Sequence, residues 1–470
     1  MMLKIALPKG RLLAQTATLL DRAGWELNGY HDRARLYRLR SPRFPGLSLK
    51  MFHEKDIPIQ VAVGNYDLGI CGLDWVEELL AKYPSSALVK VKNLEYGQGA
   101  LYAAVAGSSG VATLEALSAE SGGLRIAGEY PNLAESLAVR LRLKRFSIFP
   151  LWGAAEAYPP DSAELVLVPR KRPDELLERG LRPISRLLDF RAYLIANRHS
   201  LETKDMAEVV ASLIDNLLPD GEPAPAGVSR VPRAMTKPPA REMPADVVRL
   251  ALPDGHQQRH VRSILDKAGI EISDYPSAVG NCRPGSSLAG VAIKVIRPQD
   301  MPLQVANGNF DLAITGRDWL TEHHYQFPSS PAEELLDLKY GRVRVVAVVS
   351  KELAVADVEG LRQLYQGHSI RVASEYVNMA DHYARTSHLG LYRVIPTWGA
   401  TEAFLPEDAD LLIENTETGG TIARHNLKII DTLFESTACL IGNSASVSSP
   451  GKGERIGSLL KLLERAVEGG

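Results

Sequence analysis

Asp410-Leu-Leu-Ile-Glu-Asn-Thr-Glu-Thr-Gly-Gly-Thr421, running on through Ile422-Ala-Arg-His-Asn-Leu427, decides how this chain is read. Leu411 to Ile413 is an apolar run with the length and bounds of a buried strand, ending at Glu414. Two adjacent glycines, Gly419 and Gly420, let the backbone turn with several N–H groups facing one point. Thr416, Thr418 and Thr421 add hydroxyls and Glu417 a second acid, and a helix beginning at the loop aims its positive end the same way. The pattern implies a phosphate cradle with the Glu414 carboxylate beside it, suited to the 2- and 3-hydroxyls of a ribose. An ordinary glycine turn before a helix is the bland alternative. An acid-x-x-x-Thr-Gly-x-Thr string after an apolar strand is more specific than that.

The rest of the chain is organised as a duplication. Leu7-Pro-x-Gly10 recurs as Leu252-Pro-x-Gly255, Asp56-Ile-Pro58 as Asp300-Met-Pro302, and Gly64-Asn-Tyr-Asp67 as Gly308-Asn-Phe-Asp311. Gly72-Leu-Asp-Trp75, Glu129-Tyr-Pro-Asn132 and Trp152-Gly-Ala154 return as Gly316-Arg-Asp-Trp319, Glu375-Tyr-Val-Asn378 and Trp398-Gly-Ala400. Landmarks kept in order mean two copies of one fold, spanning 1–218 and 246–470. Between them, 219–245 holds seven prolines, which exclude a helix or central strand and predict a semi-extended tether. Within each copy strand-like and helix-like runs alternate: Leu3–Leu7, then Leu12–Ala23 ending at Gly24; Leu68–Cys71, then Trp75–Leu80; Arg125–Ala127, then Leu133–Leu143; and a last helix from Met206 to Leu218. This predicts an α/β fold of mostly parallel sheets covered by helices, with binding chemistry at the carboxyl ends of strands.

Composition narrows the class. The 470 residues are 45% hydrophobic with a net charge of −2, which supplies ample core and calls for neither nucleic acid nor a membrane surface. Cys71, Cys282 and Cys439 are scattered, odd in number and without metal-ligand spacing, so no protein-held metal is expected and a reduced, cytoplasmic setting is. The opening, Met-Met-Leu-Lys-Ile-Ala-Leu-Pro-Lys-Gly-Arg, reads as a strand and loop rather than a signal peptide.

Leu-Pro-Lys-Gly-Arg near the start, Asp-Leu-Gly-Ile-Cys-Gly from Asp67, Glu-Tyr-Pro-Asn from Glu129 and the Glu414–Thr421 loop occur in the order that they have in ATP phosphoribosyltransferase, whose short catalytic form each copy resembles over nearly its whole length. The resemblance implies two lobes per copy around a cleft, as in a bilobed periplasmic solute-binding protein, and hence four lobes here. It implies ATP and phosphoribosyl pyrophosphate as substrates, the first step of histidine biosynthesis as the reaction, and Mg2+ carried on the substrate phosphates. It also implies an active site near a dimer interface, which within one chain becomes a pseudo-dimer. Further homo-oligomerisation and a separate regulatory subunit are left open. The family usually has Asp where this chain has Glu414.

The copies are unequally equipped. Opposite Glu414–Thr421 the first has Val168-Pro-Arg-Lys-Arg-Pro-Asp-Glu175, without the carboxylate, threonines or glycines. The first copy instead keeps Lys9-Gly10-Arg11, where the second reads Asp254-Gly255-His256. Arg33 matches another basic family position; Arg297 in the second copy matches a third, where the first has His53. Lys9, Arg11, Arg33 and Arg297 are therefore the candidate catalytic cations, with Gly10 and Glu402, in its Trp-Gly-Ala-x-Glu string, near the substrate. One working site, built on the second copy and supplemented by the first, is the expectation. A non-catalytic regulatory or assembly subunit descended from the enzyme is the alternative.

Overall fold

The computed structural model describes residues 3–31, 37–119, 123–217, 244, 246–277 and 280–469. Arg33 and nearly all of the proline-rich stretch 219–245 lie outside the described residues.

Each repeat builds two sheets. In the first, the strands lie in the order Arg38–Leu39, Leu47–His53, Leu3–Lys9, Leu68–Gly72, Ala192–Asn197, Leu88–Asn93. Leu3–Lys9 is parallel to Leu47–His53 and to Leu68–Gly72, while Ala192–Asn197 returns antiparallel between Leu68–Gly72 and Leu88–Asn93. The second sheet runs Leu181–Phe190, Gly99–Ala106, Leu165–Arg170, Leu124–Gly128, Phe146–Pro150. The second repeat reproduces both orders without the edge strand Arg38–Leu39: Val291–Ile296, Val248–Pro253, Leu312–Gly316, Ala438–Asn443, Ala332–Asp337, and Leu427–Ser436, Val343–Ser350, Leu411–Thr416, Ile370–Ser374, Tyr392–Pro396; Ile272–Ser273 and Gly285–Ser286 pair separately as a short ribbon. Four lobes result, two per repeat, each with its own sheet and apolar core. The sheets are mixed: parallel where helices link successive strands, antiparallel where the chain crosses back between lobes.

Local sequence explains the elements that matter. Leu13–Arg22 buries Leu13, Thr16, Leu19 and Leu20 on one face, and Gly24, at φ 69°, turns the chain out of the helix. Leu411–Ile413 is fully buried between Ile370–Ser374 and Val343–Ser350, but the strand continues to Thr416, past the boundary expected at Glu414. Antiparallel pairing of Glu414, Asn415 and Thr416 with Val346, Val345 and Arg344 carries it on. The final helix of the first repeat is shorter than its apolar pattern, Ala207–Ile214.

The described residues divide into two compact units that do not coincide with the repeats. One gathers those within Met1–Phe149, Leu165–Ala240 and Trp398–Ala403; the other those within Pro150–Glu164, Arg241–Thr397 and Phe404–Gly470. The Trp-Gly-Ala segment of each repeat is thus grouped with the other repeat. In the second unit, the Trp152 N–H donates to the Asp300 carboxylate at 3.0 and 3.2 Å, and the Trp152 and Trp319 rings lie 5.8 Å apart. Arg283 donates to the carbonyls of Ala157 and Pro159, and Asp161 forms an ion pair with buried Lys294 at 2.9 Å. Among the described residues no helix is long and apolar enough to cross a membrane.

Candidate active site

The glycine-rich loop leaves its strand at Thr416 and enters the short helix Gly420–Arg424 through Gly419. Gly419 has φ 75°, which a side-chain-bearing residue adopts only with strain, whereas Gly420 has an ordinary backbone. Buried Thr416 accepts the Gly419 N–H at 2.9 Å, Thr418 accepts the Gly420 N–H at 3.4 Å, and Arg424 donates to the Thr421 hydroxyl at 2.9 Å. Thr416 is therefore a brace inside the loop. Glu417 and Thr418 are exposed, and Glu414, Gly419, Gly420 and Thr421 are half-buried.

Beneath the loop lies a network that sequence reading missed. Asn415 Nδ2 donates to the Tyr376 hydroxyl at 2.6 Å, and Tyr376 donates to Asp318 Oδ2 at 2.5 Å. Ser436 donates to Asp318 Oδ1 at 3.1 Å and accepts the Asp318 N–H at 2.9 Å. Burial, then the charge of Asp318, pushes the Tyr376 phenol well above its ordinary range, so it stays a donor. Asp318 lies on Arg317–Gln326 of one lobe and Tyr376 precedes Val377–Thr386 of the other, so the pair bridges the lobes of its repeat. Glu322 reinforces the bridge by accepting the N–H groups of Asn378 and Met379, each at 2.8 Å, at that helix's positive end. The first repeat keeps the same bridge, with Tyr130 donating to Asp74 at 2.6 Å and Glu78 accepting from Asn132 and Leu133 at 2.8 and 2.9 Å. The signal for it was the recurrence of Asp-Trp and Glu-Tyr-x-Asn in both repeats.

Of the candidate cations, Lys9, Arg11 and Arg297 are already engaged. Arg11 binds Asp74 at 2.6 and 2.7 Å and Glu54 at 2.8 Å, and the two carboxylates overcome burial to hold its guanidinium firmly charged. Lys9 donates to the Tyr37 hydroxyl at 3.3 Å, with its ammonium 4.8 Å from the center of that ring. Gly10 between them has φ 102°. Arg297 pairs with Asp254 at 3.1 Å, so in the second repeat the acid that replaces Lys9 is tied to a neighbouring cation. Burial, then the charges of Lys55, Lys9 and Arg11, lower His53 to about 4 and keep it neutral at pH 7. Lys9, Gly10, Arg11 and Glu402 fall in one compact unit, Arg297 and Glu414–Thr421 in the other.

The pairing registers test the comparison of the two loops. Val168 pairs with Tyr102, and Glu414 pairs with Val346, at equivalent places in the two sheets. The first repeat therefore presents Val168 where the second has its carboxylate, and Pro173 caps the helix Asp174–Leu177 where the second has Gly419. Among the described residues no group of three or more His, Cys, Asp or Glu is placed to hold a metal ion.

Against known families, the model described as HisG: ATP phosphoribosyltransferase matches residues 53–218 and again 297–465. The chain belongs to the ATP phosphoribosyltransferase family. The ATP phosphoribosyltransferase of Chlorobaculum parvum is 31% identical over 224 residues, 47% of this chain and 72% of that relative. ATP phosphoribosyltransferase 1 of Geobacter sulfurreducens is 31% identical over 227 residues, 47% of this chain and 73% of the relative. A chain of the ATP phosphoribosyl transferase HisG:HisZ complex from Thermotoga maritima aligns over 48% of this chain and 100% of its own, at 23% identity and a TM-score of 0.40. One ATP phosphoribosyltransferase relative thus covers about half of the chain, as a tandem duplication requires.

Proposed function

We propose that this chain joins ATP to phosphoribosyl pyrophosphate, and that the reaction takes place at the loop Glu414–Thr421 of the second repeat. Adenine N1 attacks the anomeric carbon of the ribose, the bond to pyrophosphate breaks with its electron pair leaving on oxygen, and N1-(5-phosphoribosyl)-ATP results. This is the first step of histidine biosynthesis. The observation that carries the reading is the loop itself, a carboxylate at the end of a buried strand followed by a left-handed glycine and a helix start.

The chemistry asks for alignment and charge stabilisation rather than covalent help. Glu414 accepts from the ribose 2- and 3-hydroxyls. The 5-phosphate takes loop amides and the Thr418 and Thr421 hydroxyls, displacing Thr418 from the Gly420 N–H that it accepts at 3.4 Å. The Asn415–Tyr376–Asp318 network fixes the stem of the loop against the opposite lobe. Magnesium arrives on the substrates' phosphates, an ion that keeps its waters and asks for few protein ligands. Arg297 is proposed to offset charge on the departing pyrophosphate. The organisation that goes with this is a first repeat at 1–218, a tether at 219–245 and a second repeat at 246–470, working in the cytoplasm.

The experiment is steady-state kinetics of Glu414→Ala and Thr418→Ala. Each hydrogen bond to a charged group contributes about 1.5–3 kcal/mol, so Glu414→Ala lowers kcat/KM by roughly 10²-fold or more. Unchanged kinetics in both variants would remove the loop from the site.

A further inference from the structure

We propose that the first repeat binds a small phosphate-bearing anion in the cleft where its own phosphoribosyl loop has degenerated. A cavity of about 270 Å³ lies there, between the start of helix Leu73–Lys82, the strands that cross between lobes, and the loop after Leu165–Arg170. Lys171, Arg186 and Arg191 line it, with Asn93 and Gln98. Lys171 makes no hydrogen bond or ion pair among the described residues. Arg186 is paired with Asp189, also on the lining, but both side chains are more than half exposed, so the pair is weak and the guanidinium can turn to a stronger acceptor. Arg191, on the same lining, is held by Glu95.

The comparison with the second repeat gives this cluster its meaning. By the same strand register that aligns the two loops, Lys171, Arg186 and Arg191 correspond to Glu417, Thr432 and Thr437. Three cations thus stand where the other repeat has an acid and two hydroxyls, and they line one cavity rather than scattering over the surface. Forked guanidinium donors and a free ammonium select phosphate oxygens, and the cavity's size admits a small molecule, not a polymer. Phe190 also lines the cavity and carries the Arg11 guanidinium 4.7 Å from its ring center. An occupant therefore adjoins the platform on which the Arg11–Asp74–Tyr130 bridge rests, which gives the degenerate repeat a means of sensing a ligand.

The test is calorimetric titration of inorganic pyrophosphate into the full-length chain carrying Glu414→Ala and Thr418→Ala, which silences the proposed catalytic loop. Binding is expected to persist there and to weaken with added salt. Adding Lys171→Glu and Arg186→Thr, the residues of the second repeat, is expected to weaken it at least roughly tenfold, while Lys171→Arg retains it. Both positions are exposed, so in an otherwise wild-type chain the same two changes leave the thermal midpoint and the basal transfer rate unaltered. No binding to the loop variant, or binding indifferent to Lys171→Glu with Arg186→Thr, overturns the proposal. A chain that binds through Lys171 yet makes no product would leave this site standing and remove the catalytic reading instead.

Discussion

Replacing Asp161 with Asn tests the exchanged segment where its grip is strongest. Asp161, from the first repeat, lies 2.9 Å from Lys294 and 3.4 Å from Arg283 in the second unit. The Lys294 side chain is 6% exposed, and burial, then the Arg283 charge, lowers it from 10.5 to about 8 against the pull of Asp161. Asp161→Asn leaves two cations together with no carboxylate between them. Breaking a buried pair costs about 3–5 kcal/mol, and the partial exposure of Asp161 brings the expectation to about 2–3 kcal/mol. For a unit of this size that is a fall in Tm of roughly 5–10 °C. The pH dependence is the sharper reading. The folded wild type releases the Lys294 proton near pH 8 and the unfolded chain near 10.5, so between these the unfolded state holds more protons and wild-type stability rises with pH. The carboxylate matters only while Lys294 is charged. Without Asp161 the Lys294 proton leaves at a still lower pH, so the difference between wild type and Asp161→Asn is largest at the acid end, narrows as pH rises toward 8 and is small above it. Scanning calorimetry of both full-length proteins from pH 6 to about 10 reads this out. A difference constant across that range, or under about 1 °C, would refute the ion pair as the lock.

Three further outcomes follow from the site. Asn415→Leu cuts the link from the loop stem to Tyr376 and is expected to raise KM for phosphoribosyl pyrophosphate about tenfold, with a smaller change in kcat; unchanged KM in steady-state assays would show that the stem holds itself. Arg11→Ala strands the Asp74 and Glu54 carboxylates and is expected to lower Tm in scanning calorimetry; an unchanged Tm would show that this ion-pair cluster does not brace the first repeat. His53, held near 4 by burial and three cations, is expected to show no ring titration between pH 5.5 and 8 by NMR, and a midpoint inside that window would contradict the buried, cation-flanked geometry.

What the sequence made legible was local or repeated. The strand at Leu411, the turn at Gly419, the helix from Leu13 and the duplication all follow from periodicity, glycine placement and self-comparison. What it concealed depends on which distant side chains meet. Arg11 read as a free cation because Asp74 is 63 residues away, and Arg297 did so because Asp254 follows a different strand. Thr416 read as a ligand because a hydroxyl that braces a loop and one that binds a phosphate look alike until the amide it accepts is known. Trp152-Gly-Ala and Trp398-Gly-Ala mark a position within each repeat, but nothing in the motif tells which repeat it packs against.

The central claim is that this one chain is a sufficient catalyst, with its second-repeat loop as the working part. The direct measurement is product formation by the purified protein alone, given ATP, phosphoribosyl pyrophosphate and magnesium. Phosphoribosyl-ATP and pyrophosphate in equal amounts, both lost in Glu414→Ala with Thr418→Ala, is the result expected. No product until another protein is added, or product that survives both substitutions, would contradict it.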